Sequence, residues 1–254
     1  SPTGIIGINA MVAASGFAGL VKTAIEEGID LIVAGAGFSR DMFGMGKESG
    51  TPIVPIVSSA KLARISEGLG AAAVIVEGNE AGGHLGTDRS SREIVPEVVA
   101  AVKKIPVIGA GGVLEGKDIV EMLRLGASGV QMGSRFAASV ECNASDELKK
   151  MYVRTKKAED VVLIQSPVGL PGQAIRNRFV ETVLDGTVPA PKTCDACLKH
   201  CSHKFCLIKA LERAQQGDVE TGLVFSGNNM RKVNEILPVK EIFARLQQEV
   251  SQID

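Results

Sequence analysis

One unit of sequence recurs through the first half of this chain: an apolar run, a glycine-rich exit, an amphipathic stretch and a glycine stop. Gly4 to Val12, Leu31 to Ala34, Ile53 to Val57, Ala72 to Val76, Pro106 to Ile108 and Gly129 to Met132 read as strands. Such short, continuous apolar runs mark strands buried on both faces. Phe17 to Glu27, Ala60 to Gly68, Ile94 to Lys104 and Asp118 to Leu125 carry helical periodicity between them. The joints at Gly28, Gly70 and Gly126 each place glycine where a helix ends in left-handed geometry. Strands alternating with helices at this spacing predict parallel strands joined by right-handed crossovers.

About six βα units precede residue 140, whereas a closed barrel of this kind has eight. The expected fold is a TIM-type (β/α)8 barrel lacking its first two βα units. A doubly wound open sheet competes, but ligand-type glycines follow nearly every strand, which suits a ring of loops around one mouth. The natural polypeptide is therefore expected to extend before Ser1 by roughly 60 residues, at about 30 per unit. From Ala144 the pattern changes to a helix (Asp146 to Lys157), an extended stretch (Val161 to Pro167) and two or three further helices. Residues 1–143 are thus read as barrel units and 144–254 as a helical C-terminal accessory segment packed on them.

A length of 254 residues suffices for one large α/β core. The net charge of -1 gives no footprint for nucleic acid or an anionic membrane. No apolar run reaches the roughly 18 residues that span a bilayer. Ser1-Pro2-Thr3-Gly4 lacks the basic-then-apolar pattern of a signal peptide. The default is a cytoplasmic enzyme with a small-molecule substrate, with a homodimer as a possible form.

The chemistry concentrates behind the run ending at Val76, in Glu77-Gly78-Asn79-Glu80-Ala81-Gly82-Gly83-His84-Leu85-Gly86. This loop holds four glycines, two carboxylates and one of three histidines in the chain. Glycines let backbone approach a flat or anionic ligand, and a loop histidine can move protons near neutral pH. Gly109-Ala110-Gly111-Gly112 and Gln131-Met132-Gly133-Ser134 close two consecutive units. Backbone N–H groups in such turns can hold a phosphate, and barrels commonly place that site after their last two strands. Each turn alone is better read as a tight βα connection; together, beside the histidine loop, they point to phosphate. A Cβ at Gly112 is expected to stand where a phosphate oxygen must lie. Glu80 and Arg135 are left as turn-stabilising and charge-neutralising groups.

Cys194-x₂-Cys197-x₃-Cys201-x₄-Cys206, with His200 and His203 between, has spacing compatible with zinc or an iron–sulfur cluster. Reduced thiols in a helical hairpin fit equally well, and no metal is assigned. Cys142 reads as a small core residue.

The order and spacing of Glu77-Gly78-x-Glu80-Ala81-Gly82-Gly83-His84-x-Gly86, Gly109-Ala110-Gly111-Gly112-Val113 and Gly129-Val130-Gln131-Met132-Gly133-Ser134-Arg135-Phe136 resemble the nitronate monooxygenase family. That signature is shared with flavin-dependent enoyl-acyl-carrier-protein reductases of type II. Gly7-Ile8-Asn9, Ser166-Pro167-Val168-Gly169 and Gly222-Leu223-Val224-Phe225-Ser226-Gly227 extend the similarity along nearly the whole chain. The resemblance implies an FMN-binding barrel in which Asn9, Glu77 and Gly82 lie by the flavin. Gly111, Gly112 and the Gln131, Met132, Gly133, Ser134 turn would take its phosphate. His84 would be the catalytic acid/base. The implied activity is oxidation of alkyl nitronates with O₂. Glu77 stands where many nitronate-oxidising relatives carry Gln, which keeps open NAD(P)H-dependent reduction of an enoyl thioester. A non-catalytic flavin- or metal-binding protein is a third reading.

Overall fold

The computed structural model describes residues 4–253. Strands β1 (Gly7–Met11), β2 (Leu31–Gly35), β3 (Ile53–Val57) and β4 (Val74–Glu77) alternate with helices α1 (Phe17–Glu26), α2 (Asp41–Ser49) and α3 (Ala60–Leu69). A two-residue strand, β5 (Gly83–His84), then precedes α4 (Ser91–Ala101), β6 (Val107–Ala110), α5 (Gly116–Arg124), β7 (Gly129–Gln131) and α6 (Ser134–Ala137). The six longer strands pair in parallel in the order β1-β2-β3-β4-β6-β7. Their sheet curls into an open arc of TIM-type architecture, as the repeat predicts. Gly28, Gly70 and Gly126 end α1, α3 and α5 with φ of 76°, 94° and 95°.

Side chains alternate across each strand. One face meets the helices: Ile8, Ala10, Ile32 and Ala34 pack in one cluster, and Val57, Val74, Val76 and Val107 in another. Full burial of each such Val or Ile contributes about 1.5–3 kcal/mol. The other face carries Val33, Val54, Ile56, Ile75, Ile108 and Ala110, packed on one another without helices. The same alternation sends Asn9, Glu77 and Gln131 to this helix-free face, near the C-terminal ends of their strands.

Helix α2 lies where the sequence showed no element. Gly44 and Gly46 dilute its periodicity, but Met42 and Phe43 are buried beneath it against the sheet. The remaining chain holds α7 (Asp146–Arg154), β8 (Val161–Gln165), β9 (Pro171–Ile175), α8 (Arg178–Leu184), α9 (Leu207–Gln216) and α10 (Val239–Ser251). It is not purely helical. Strands β8 and β9 form an antiparallel hairpin, and β9 also pairs with β5, so that His84 faces Gly172 across the ladder.

The cysteine segment is irregular rather than a helical hairpin. Cys197 and Lys199 are tied to the loop after β1, through Ser15 N–H to Cys197 O at 3.0 Å and Lys199 N–H to Ala13 O at 2.9 Å. All five cysteines are free thiols, with Cys194 exposed and the others, Cys142 included, half-buried. Among the described residues, no helix is long and apolar enough to cross a membrane. Nor do three His, Cys, Asp or Glu side chains gather there into a set that could hold a metal ion.

Candidate active site

The C-terminal ends of β1, β4, β6 and β7 open on a cleft of about 340 Å³. Asn9, Glu77 and Gln131 line it from the strands, and Gly82, Gly111, Gly112, Gly133 and Ser134 from the loops behind them. Strand register sets Glu77 beside Ala110, and Ala110 beside Gln131. Eight of the ten residues singled out in the sequence therefore meet at one place.

Met132 is not among them. Its side chain packs with Ile119, Val130 and Phe136 beneath α5 and α10. Strand alternation explains the correction: Gln131 points to the helix-free face, so its neighbour points to the helices. Only the backbone of Met132 remains available to a ligand in the turn.

Behind β6, Gly111 and Gly112 have φ of 94° and 70°. Two successive left-handed residues make a tight turn of backbone N–H groups, the kind of concavity that receives anions. Its carbonyls are pinned from behind. Arg92 Nη1–H donates to Gly111 O at 2.8 Å, and Asn229 Nδ2–H to Gly112 O at 3.1 Å. Arg92 is itself held by Glu121 at 3.1 Å and Asp118 at 3.8 Å. Asp118 accepts the N–H groups of Leu114 and Glu115 at 2.9 and 3.1 Å. A Cβ on Gly112 would lie 2.8 Å from Asn229 Nδ2 and 3.0 Å from Arg92 Nη1. The expected conflict with a ligand oxygen thus has a rival cause, a conflict with the braces.

Gly82 has a comparable role, since its Cβ would come within 2.6 Å of Ser226 C and 2.7 Å of Gly227 N. Its missing side chain lets the histidine loop lie against the late segment 226–227.

Glu77 ends β4 with its carboxyl at the cleft, and burial pushes its pKa up to about 7. Glu80 plays a different part. It accepts hydrogen bonds from Ser90 Oγ and, at 3.0 Å, from Ser91 N–H, fixing the start of α4.

His84 stands beside the cleft wall, half-buried. Its Nε2 lies 2.7 Å from Ser166 Oγ, and its ring meets Phe225 edge-on with centroids 5.1 Å apart. Phe225 lines the cleft; His84 does not. Burial lowers the imidazole pKa, which keeps the ring neutral near pH 7.

The opposite wall was not placed by sequence reasoning. It consists of Tyr152, Phe225, Gly227, Asn229 and Met230. Tyr152 O–H donates to Phe225 O at 3.0 Å, and Gly227 N–H to Ser134 Oγ at 3.2 Å. The available signals were the Gly222 to Gly227 motif and the chain's one tyrosine. Neither says what it will face.

A parallel βα arc with its polar groups gathered at the strand ends defines a ligand-binding α/β protein of the barrel type. The family model for nitronate monooxygenase matches residues 5–249, and the chain belongs to that family. A (3aS,4S,5R,7aS)-5-hydroxy-7a-methyl-1-oxo-octahydro-1H-indene-4-carboxyl-CoA dehydrogenase of Mycobacterium tuberculosis is 32% identical over 183 residues, covering 71% of this chain and 51% of that protein. A probable nitronate monooxygenase of Staphylococcus aureus is 33% identical over 154 residues, covering 56% of this chain and 43% of that protein. The chain thus spans about half the length of the curated relatives it matches. Among solved structures, FabK from Thermotoga maritima aligns with a TM-score of 0.87 at 33% identity, over 98% of this chain and 77% of that one. A nitroalkane oxidase from Streptomyces ansochromogenes shares the fold, with a TM-score of 0.78 at 23% identity over 98% of this chain and 81% of that one.

Proposed function

We propose that the cleft holds FMN and that the protein oxidises alkyl nitronates with O₂, giving a carbonyl compound and nitrite. The observation that carries this reading is the convergence of Asn9, Glu77, Gln131 and the Gly111-Gly112 turn on one cleft. The residues fit such a cofactor. A glycine turn with pinned carbonyls presents N–H groups to a phosphate, while Asn9, Glu77 and Gln131 offer polar heads to the edges of a planar ring system. Bound there, FMN would supply the redox chemistry between substrate and O₂.

The chain's own residues bind and orient. Gly111, Gly112, Gly133 and Ser134 hold the phosphate end, with the Met132 side chain turned away. Phe225 lines the wall beside His84 and restrains its ring, and His84 is the group that exchanges or shares a proton with the substrate.

A second reading, NAD(P)H-dependent reduction of an enoyl-acyl-carrier-protein substrate, is favoured by two observations. One is the carboxyl rather than carboxamide at Glu77. The other is the likeness to FabK over 98% of the chain. Anaerobic mixing of FMN-loaded protein with propyl nitronate, NADH or NADPH in separate cuvettes separates the two. Bleaching of the flavin band by the nitronate alone is the expected result. Bleaching by a nicotinamide nucleotide alone would replace the first reading with the second.

A further inference from the structure

His84 has a partner in the β8–β9 hairpin, Ser166. Ser166 follows β8 at the hairpin turn and is only 4% exposed. Its backbone is fixed on both sides: Ser166 N–H donates to Leu170 O at 3.1 Å, and Gly169 N–H donates to Ser166 O at 3.0 Å. Ser202 N–H, from the cysteine segment, holds the next carbonyl, Pro167 O, at 3.0 Å. His84 is fixed by the same small sheet, through β5 against β9. The 2.7 Å contact between Ser166 Oγ and His84 Nε2 is therefore set by paired backbone, not by a meeting of two flexible loops. Phe225, edge-on at 5.1 Å, restrains the ring plane.

A buried hydroxyl left without an acceptor costs about 1–3 kcal/mol. Among the described residues, the Ser166 hydroxyl meets His84 Nε2 as its hydrogen-bond partner. A neutral imidazole carries one N–H and one lone pair. We propose that Ser166 is a positioning residue: its O–H donates to Nε2 and leaves the imidazole proton on Nδ1. His84 then serves as a hydrogen-bond donor to a substrate oxygen that arrives already anionic. This rests on the nitronate reading above. A nitronate carries its negative charge on the nitro oxygens and needs a donor. A neutral nitroalkane must first lose a C–H proton to a base, and an imidazole in this tautomer has its lone pair committed to Ser166.

The test uses ¹⁵N-histidine spectra of the full chain loaded with FMN. Only three histidines contribute, and His84→Ala identifies the relevant signals. The expected spectrum shows a protonated Nδ1 and an unprotonated Nε2. Ser166→Ala should let the Nε2–H form appear, while Ser166→Thr, which keeps the hydroxyl, should restore the parent spectrum. Propyl nitronate should be consumed about 10²- to 10⁴-fold faster than 1-nitropropane, the usual worth of a positioned base that the neutral substrate would lack. A parent Nε2–H signal, a spectrum unmoved by Ser166→Ala, or equal turnover of the two substrates overturns the inference. Failure of the nitronate reading itself would look different. No nitronate would then bleach the flavin, and the spectrum would still decide what Ser166 does to His84.

Discussion

The two walls of the cleft are built in different ways. The strand-end wall, with Asn9, Glu77, Gln131 and the Gly111-Gly112 turn, follows from the repeating βα unit. Parallel register and side-chain alternation bring the strand-end residues level. The opposite wall is assembled across the sequence. Asn229 reaches Gly112 over 117 positions, Ser166 reaches His84 over 82, and Tyr152 reaches Phe225 over 73. The geometry of the glycine turn is set by local backbone here. The orientation of the His84 ring is set at long range.

The largest test falls on the seam between the walls. His84 rides on β5, behind a barrel strand, but is oriented by the accessory hairpin. His84→Ala should leave FMN bound and slow nitronate-dependent flavin reduction about 10²- to 10⁴-fold. Reduction at the parent rate in stopped flow would mean that the hairpin orients nothing of catalytic use.

The next test addresses the strand-end wall alone. Valine at Gly112 must adopt φ near 70° and push on Asn229 and Arg92. Strain of that kind costs about 1–3 kcal/mol. Gly112→Val should accordingly weaken FMN binding roughly 10- to 100-fold, by fluorescence titration, in a protein that keeps its helical circular dichroism. Unchanged affinity would remove this turn from the site.

The contrast between the walls also explains what was legible. Strands β1 to β4, β6 and β7 announce themselves through apolar runs and glycine exits, so the arc and its polar strand ends could be anticipated. The outward turn of the Met132 side chain was missed because the turn was read as one block, although alternation separates it from Gln131. Strand β9, Pro-Gly-Gln-Ala-Ile, opens with two poor strand residues and carries no clear period. Its identity depends on β8 and β5. For the same reason nothing in Ser166-Pro167-Val168-Gly169 indicates that the serine will face His84.

Glu77 gives the strand-end wall a pH signature. Burial raises its folded pKa from the usual 4.5 to about 7. The folded state thus holds the proton more tightly than the unfolded chain. Its stabilising contribution is complete below about pH 4.5, declines as pH rises, and is lost above about pH 7. Allowing for exposure to the cleft, the change is roughly 2 kcal/mol across that window. Glu77→Gln carries no titrating proton. In FMN-free protein its urea-unfolding stability should be flatter by that amount over the same range. A parent-like slope would assign the pH dependence to other groups.

The smallest effect tests the long-range wall without touching the ligand turn. Tyr152 is buried, and its hydroxyl fixes the carbonyl of Phe225, whose ring packs edge-on against His84. Tyr152→Phe deletes one oxygen and leaves the ring packing in place. The lost hydrogen bond is worth about 1 kcal/mol of stability. If the accessory wall must be ordered for FMN to bind, the same loss appears in affinity as a roughly fivefold rise in Kd, well below the Gly112→Val effect. If the glycine turn alone determines affinity, Kd stays at the parent value while thermal stability falls. The ratio of the two changes therefore measures how far the accessory wall takes part in holding the cofactor, as opposed to merely covering it.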